Sequence, residues 1–193
     1  MTHNVLSHVS FEALDKFKVG KQGQNPASWS LSDCEEFIAI AKSIVKERKY
    51  DLDTEKWTGD SAELDFLQKF ALTSRGVFGP LCAFFGGFTA QEVIKAITGK
   101  FSPTNQLFYY DAIELLPSIK PNESETFEQL VERIGVKEEG TRLDGLRICL
   151  GDELVQKLAY TKLFMVGAGA IGCELLKNYA MLGVGTGKEV KGE

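Results

Sequence analysis

The amino-acid sequence predicts an α/β protein whose N-terminal part is a helical bundle. Three observations support this fold class. Apolar residues recur at helical spacing in the N-terminal part, two short runs have the composition of strands, and a glycine-rich turn joins the second run to a helix. Of the 193 residues, 44% are hydrophobic and 25% are charged, as is typical of globular domains. We expect the two strands to belong to two related sheets, because lone strands need neighbours.

Three helices are predicted in the N-terminal part. The first covers residues 9–19; Ser30 or Ser32 is positioned to cap the second, and Asp60 or Ser61 the third. Their apolar positions are Val9, Phe11, Leu14, Phe17, Phe37, Ile38, Ala41, Ile44, Val45, Leu64, Leu67, Phe70 and Ala71. Three- and four-residue spacing places these side chains on one face of each helix, so the helices are expected to pack against each other.

A longer apolar stretch follows the bundle. Residues 77–90 are rich in apolar and small side chains and predict a buried helix that Gly99 ends. Proline and glycine interrupt the stretch, and it is shorter than the ~20 apolar residues that span a bilayer. Residues 107–116 then show the aromatic and β-branched composition and partial alternation of a strand.

A glutamate-rich region separates the two predicted strands. Residues 118–141 are interpreted as an exposed acidic connector that contains a short amphipathic helix, with apolar positions at Phe127, Leu130, Val131 and Ile134. Past it, Arg142 and Asp144 are expected to form a local ion pair. A helix then leads to the second strand, residues 163–166.

The sequence Val166-Gly-Ala-Gly-Ala-Ile-Gly172 is the strongest functional motif. Gly167, Gly169 and Gly172 have the G-x-G-x-x-G spacing between a strand and a helix, which is typical of a nucleotide phosphate site. The first glycine permits a tight turn, the second lets backbone N–H groups approach a phosphate, and the third lets helix and strand pack closely. The same turn without a ligand would serve packing alone.

Few other residues suggest chemistry. Cys173, in the first turn of the helix after this motif, is interpreted as a small buried residue rather than a nucleophile, because no histidine lies near it in sequence. Cys34, Cys82 and Cys149 are expected in the core. The cysteines form no C-x-x-C pair, which favours a reduced cytosolic or nuclear protein. The histidines, His3 and His8, are expected to precede the first helix, solvated and without metal.

Charge further limits the partners. The formal net charge is −5, and the basic residues form no long run. This pattern argues against nucleic acid or an anionic membrane surface as a partner. No Ser/His/Asp set, paired-carboxylate site or metal-ligand set is evident, so no catalytic residue and no metal ligand are assigned.

Four stretches, in this order, resemble the ubiquitin-activating enzymes, or E1 enzymes. They are residues 8–17, 79–101, 107–117 and 164–185. The family usually has Arg-Tyr-Asp-Gly-Gln before its active half, whereas this chain departs from that pattern with Arg142-Leu-Asp-Gly-Leu146.

The resemblance implies a division of the chain into four parts. Residues 1–75 would belong to the E1 four-helix bundle, and residues 76–117 to the C-terminal part of the inactive adenylation domain. Residues 118–141 would be the acidic connector, and residues 142–193 the N-terminal part of the active, ThiF-type adenylation domain. Both adenylation domains of the family are Rossmann-like α/β units.

The resemblance also implies an activity. E1 enzymes use ATP and Mg²⁺ to adenylate ubiquitin or a ubiquitin-like modifier, transfer it to a cysteine as a thioester and pass it to an E2 enzyme, in cytoplasm and nucleus. Gly167, Gly169, Ala170 and Gly172 would line the ATP site. The family's catalytic Asp, Arg, Lys and Cys are expected beyond Glu193, and the Mg²⁺ ligands are expected outside this chain. The 193-residue chain alone is therefore expected to be inactive.

Two other functions remain open at this stage. A dinucleotide-dependent oxidoreductase would use the same glycine turn and would need a ribose-binding carboxylate about 20 residues further on. A non-catalytic interaction module would use the turn for packing only. The helical bundle and the 79–101 stretch favour the activating-enzyme interpretation over the oxidoreductase.

Overall fold

The computed structural model describes residues 2–116 and 125–187, which form helices joined by turns and loops. The remainder of the predicted connector and of the C-terminal region lies outside these ranges. The α-helices of the described residues are α1 Thr2–Gly20, α2 Leu31–Arg48, α3 Ala62–Leu72, α4 Gly79–Thr98, α5 Phe127–Ile134, α6 Asp144–Tyr160 and α7 Ala170–Leu182. Two 3₁₀ turns cover Thr54–Lys56 and Ile113–Leu115.

Helices α1, α2 and α3 form the predicted bundle. The Ser30 side chain accepts a hydrogen bond from the Asp33 N–H at 3.3 Å and caps α2, and the Ser61 side chain caps α3 through the Leu64 N–H at 3.2 Å. The first helix begins at Thr2 instead of near residue 9, because the buried Leu6 extends its apolar face by about one turn toward the N-terminus.

The core of the bundle also includes α5, from the predicted connector. Leu130 is fully buried and Val131 is 5% exposed, in the same hydrophobic cluster as the apolar side chains of α1, α2 and α3. Thr126 and Gln129 form a reciprocal capping box at the start of α5. The short amphipathic helix is thus confirmed, but its exposed position is wrong, because its apolar face is covered by the bundle.

Trp29 connects the bundle to α6. Its backbone N–H donates to the Leu72 carbonyl at 3.1 Å, and its indole Nε1 donates to the Ile148 carbonyl at 3.0 Å. The side chain is 7% exposed, so both bonds lie in a low-dielectric environment where an unmade bond is costly. This residue fixes the turn before α2 against the last residue of α3 and the N-terminal part of α6.

Helix α4 is confirmed but is not buried. Gly99 ends it with φ +62° and donates its N–H to the Lys95 carbonyl at 2.9 Å. None of its described residues is buried, and Ile97 is 79% exposed. The prediction of a buried helix was therefore wrong for the described part of the chain, since nothing there covers its outer face. In the same part, every helix is too short or too polar to cross a membrane.

Neither predicted strand pairs with another segment among the described residues. Residues 107–112 nevertheless keep a two-residue alternation. Phe108 stacks on Phe88 of α4 at 4.3 Å and Tyr110 on Phe84 at 4.1 Å, both distances between ring centroids. The intervening side chains, Tyr109 and Asp111, contact His8 and His3 of α1.

The α/β prediction is thus not confirmed within the described residues, which are helical. Residues 163–166 form no ladder, and the exposed fractions of Phe164 and Val166 are 94% and 85%. A sequence shows only whether side chains alternate as in a strand. A strand also needs backbone hydrogen bonds to a neighbouring segment, and the sequence pattern does not supply that neighbour. The position of the two histidines inside α1 also corrects the expectation that they precede the first helix.

Candidate functional site: the glycine turn before helix α7

The glycine turn leads directly into helix α7, as its spacing predicts, although no strand precedes it among the described residues. Gly167 has φ +93°, a conformation that residues with a Cβ rarely adopt. Gly169 caps α7, and its carbonyl accepts the Cys173 N–H at 2.8 Å. A Cβ atom at position 172 would collide with the Gly167 carbonyl. The first and third glycines are therefore required by the turn itself.

The second glycine has a different environment. A Cβ atom at Gly169 would meet nothing within 4 Å, so the fold of the described residues does not require glycine there. Its φ of −74° and ψ of −160° are accessible to other residues. Gly169 and Ala170 are both exposed, and the start of α7 has no side-chain cap and no acidic residue in its first turn. Uncapped N–H groups and the positive end of the helix dipole favour an anion at this position.

Cys173 is exposed, which corrects the expectation of a buried packing residue. Its thiol donates to the Ala168 carbonyl at 3.2 Å. Within the described chain both histidines lie on α1 and contact residues 109 and 111, so no imidazole activates this thiol. Cys82 is also exposed, whereas Cys34 and Cys149 are buried as predicted. No cluster of three or more metal-ligating side chains occurs among the described residues.

The predicted ion pair between Arg142 and Asp144 was wrong. The Arg142 guanidinium instead donates to the Met181 and Ala180 carbonyls, at 3.1 and 3.2 Å. Asp144 pairs with Arg147 at 3.1 Å. Sequence proximity suggested the first pair, and no local pattern indicates that Arg142 reaches a helix that begins 28 residues later.

A network of polar bonds shapes the loop before α6. The Asp144 carboxylate accepts hydrogen bonds from the Thr141 hydroxyl at 2.6 Å and from the backbone N–H groups of Glu139, Gly140 and Thr141. The hydroxyl bond first, and then these backbone bonds, lower the pKa of Asp144 to about 2. Arg147 also pairs with Glu139 at 3.0 Å. Ion pairs from Arg147 therefore bind both Glu139, at the start of the loop, and Asp144, at its end.

Two cavities lie away from the glycine turn. One of about 460 Å³ lies between α1, α3, α4 and residues 108–116, and aromatic side chains such as Phe66, Phe70 and Phe85 line it. The other, of about 750 Å³, lies between the first residues of α4 and α6 and the last residues of α7. The glycine turn faces open solvent and borders neither cavity.

Comparison with known proteins identifies the relatives of this chain. Residues 1–45 match the family model of the ubiquitin-activating enzyme E1 four-helix bundle. The chain is 40% identical over 184 residues to human ubiquitin-like modifier-activating enzyme 6, and 39% identical over 181 residues to human ubiquitin-like modifier-activating enzyme 1. It is 37% identical over 181 residues to ubiquitin-activating enzyme E1 1 of Schizosaccharomyces pombe.

Each of these alignments covers 94% of this chain and 16% of the relative, so the chain spans about a sixth of the length of its relatives. The similarity extends well past the matched bundle, through the glycine turn. The family resemblance seen in the sequence is confirmed: the chain belongs, as a segment, to the ubiquitin-activating enzyme E1 family.

Proposed function

We propose that this chain is a segment of an ATP-dependent enzyme that activates ubiquitin or a ubiquitin-like modifier. The observation that carries the proposal is the glycine turn at the start of α7, with an open second glycine in a chain whose relatives are activating enzymes. The similar proteins are modifier-activating enzymes, which indicates the class of reaction. The glycine turn offers a position where the phosphates of the nucleotide would bind.

The proposed reaction has two parts. The C-terminal carboxylate of the modifier attacks the α-phosphate of ATP, which forms an acyl adenylate and releases pyrophosphate. A cysteine thiolate outside this chain then displaces AMP and holds the modifier as a thioester, ready for an E2 enzyme. Mg²⁺ would screen the phosphate charge through ligands that also lie outside this chain.

The residues of this chain would bind the nucleotide. The N–H groups at Gly167, Gly169, Ala170 and Gly172 would line the ATP site, where preorganised donors stabilise phosphate charge at little reorganisation cost. We assign none of the bond-making steps to this segment, and we expect the 193 residues alone to produce no adenylate. The proposed location of the intact enzyme is the cytoplasm and nucleus.

The proposed site is tested by Gly169→Ala in the intact protein that contains this chain. The added methyl meets open space in the turn but would occupy the path of an approaching phosphate. Loss of a charge-assisted backbone bond predicts that ATP affinity falls about tenfold or more. Isothermal titration with ATP and Mg²⁺ measures this change.

Gly86→Ala is the matched control, since a Cβ at position 86 of α4 also meets nothing within 4 Å. It should leave ATP affinity unchanged. Equal ATP affinity in the Gly169→Ala variant and the unchanged protein would contradict the proposed site. Tight binding of NAD⁺ in place of ATP would favour an oxidoreductase.

A further inference from the structure

We propose that Arg142 is a positioning residue for the glycine turn, which it orients by holding the opposite end of α7. The mechanical part of this inference concerns the chain itself, and its consequence for ATP rests on the proposed function. Arg142 contacts neither the turn nor the position proposed for the nucleotide, so it would act through the helix.

Arg142 makes a bidentate contact with the C-terminal end of α7. The two terminal nitrogens of Arg142 donate separately to the Met181 and Ala180 carbonyls, at 3.1 and 3.2 Å. These carbonyls belong to the last turn of α7, where backbone acceptors lack partners within the helix. The Ala180 carbonyl also accepts the Gly183 N–H at 3.2 Å, so the guanidinium adds a second donor there, gives the Met181 carbonyl a donor and stabilises the negative end of the helix dipole.

The described contacts of α7 with other helices gather at this same end. A Cβ atom at Gly183, which has φ +75°, would approach the Leu143 side chain to 3.3 Å, and one at Gly79, the first residue of α4, would lie 3.9 Å from the Leu182 side chain. Just past the helix, the Gly185 N–H donates to the Leu158 carbonyl of α6 at 3.1 Å. At the opposite end, Ile171 is 79% exposed. Helix α7 is therefore held at its C-terminal end and projects the glycine turn from it.

The length of α7 amplifies any change at the held end. Its 13 residues extend about 20 Å at 1.5 Å per residue, so a tilt of about 5° moves the turn by about 2 Å. Binding sites depend on the placement of their groups to within about 1 Å. A change in the hold on the Ala180 and Met181 carbonyls is thus large enough to alter phosphate contacts at Gly169.

Arg142 is itself held in place by the loop before α6. The Asp144 carboxylate gathers the N–H groups of residues 139–141 immediately before it, and Arg147 ties Asp144 to Glu139. The Val77 N–H, just before α4, donates to the Gly145 carbonyl at 3.0 Å. These bonds join the loop that carries Arg142 to both α4 and α6. The backbone at Arg142 is therefore fixed relative to these two helices.

Hydrogen–deuterium exchange of the intact protein tests the mechanical part. In Arg142→Ala we expect faster exchange both at residues 178–183 and at the distant residues 167–173. Arg142→Lys keeps the charge but lacks the planar fork, so it should restore part of the protection. Faster exchange confined to residues 178–183 would reduce Arg142 to a local cap and overturn the inference, as would no change at all.

The functional part is tested by steady-state pyrophosphate exchange with the same variants. Arg142→Ala should raise the KM for ATP about three- to tenfold, with kcat little changed, because the nucleotide meets a displaced site. Arg48→Ala is the matched control, since Arg48 pairs with Glu12 on the bundle, far along the chain from the turn. It should not alter the KM.

Two outcomes separate this inference from the proposed function. If the unchanged protein shows ATP-dependent exchange and Arg142→Ala has the same KM, the positioning role is refuted and the proposed function stands. If the unchanged protein binds no ATP, the proposed function fails. The exchange of deuterium at residues 167–173 then decides the mechanical role of Arg142 independently.

Discussion

Replacement of Leu130 by alanine tests whether α5 is part of the bundle core. Leu130 is fully buried in the hydrophobic cluster of α1, α2 and α3, so the change removes buried apolar atoms and leaves a cavity. Buried leucine-to-alanine changes cost 2–5 kcal/mol, and we expect about 3 kcal/mol of unfolding free energy to be lost. With a urea m-value of about 2 kcal/mol/M, the midpoint should fall by about 1.5 M.

Tryptophan fluorescence is a suitable probe, because Trp29 and Trp57 are both buried in the same cluster. The m-value should not change, since the same surface unfolds. Glu132→Ala, on the exposed face of α5, is the control and should shift the unfolding free energy by no more than about 0.5 kcal/mol. A Leu130→Ala change as small as that of the control would show that α5 is an exposed connector after all.

Three further predictions concern other contacts. Trp29→Phe removes the buried indole bond to the Ile148 carbonyl, so urea unfolding followed through Trp57 should show a loss of about 1–2 kcal/mol of unfolding free energy, and an unchanged midpoint would mean that this bond adds no stability. The pKa of Asp144 is about 2 in the folded chain against about 3.9 when unfolded, so its stabilisation is present above pH 4 and is lost as pH falls toward 2. Melting temperatures between pH 2 and 5 should therefore fall less steeply in Asp144→Asn, and parallel curves would count against this role. Burial raises the pKa of Cys34 to about 12 and of Cys149 to about 11, so a thiol reagent at pH 8 should modify Cys82 and Cys173 first; rapid modification of all four would mean that the core is open.

The sequence was sufficient for features that depend on local patterns. The caps at Ser30 and Ser61, the stop at Gly99 and the strict need for glycine at positions 167 and 172 all follow from the conformation or bonding of one turn. The same is true of the amphipathic face of α5, which three- and four-residue spacing defines.

Features that depend on distant partners could not be predicted in this way. The periodicity of α5 showed an apolar face but not which surface covers it. The composition of residues 107–116 showed alternation but could not supply the neighbouring strand. Arg142 is close to Asp144 in sequence, yet its guanidinium binds carbonyls at residues 180 and 181. In each case the missing information is the three-dimensional path of the chain.

The measurement that tests the central claim most directly is modifier-dependent ATP–pyrophosphate exchange by the intact protein. Radiolabelled pyrophosphate should enter ATP when ubiquitin or a ubiquitin-like modifier with a free C-terminal carboxylate is present, and not when the modifier is omitted. The Gly169→Ala variant should need about tenfold more ATP for this exchange, whereas Gly86→Ala should match the unchanged protein. Exchange that needs no modifier, or no exchange with any modifier of this class, would contradict the assignment of this segment to a working modifier-activating enzyme.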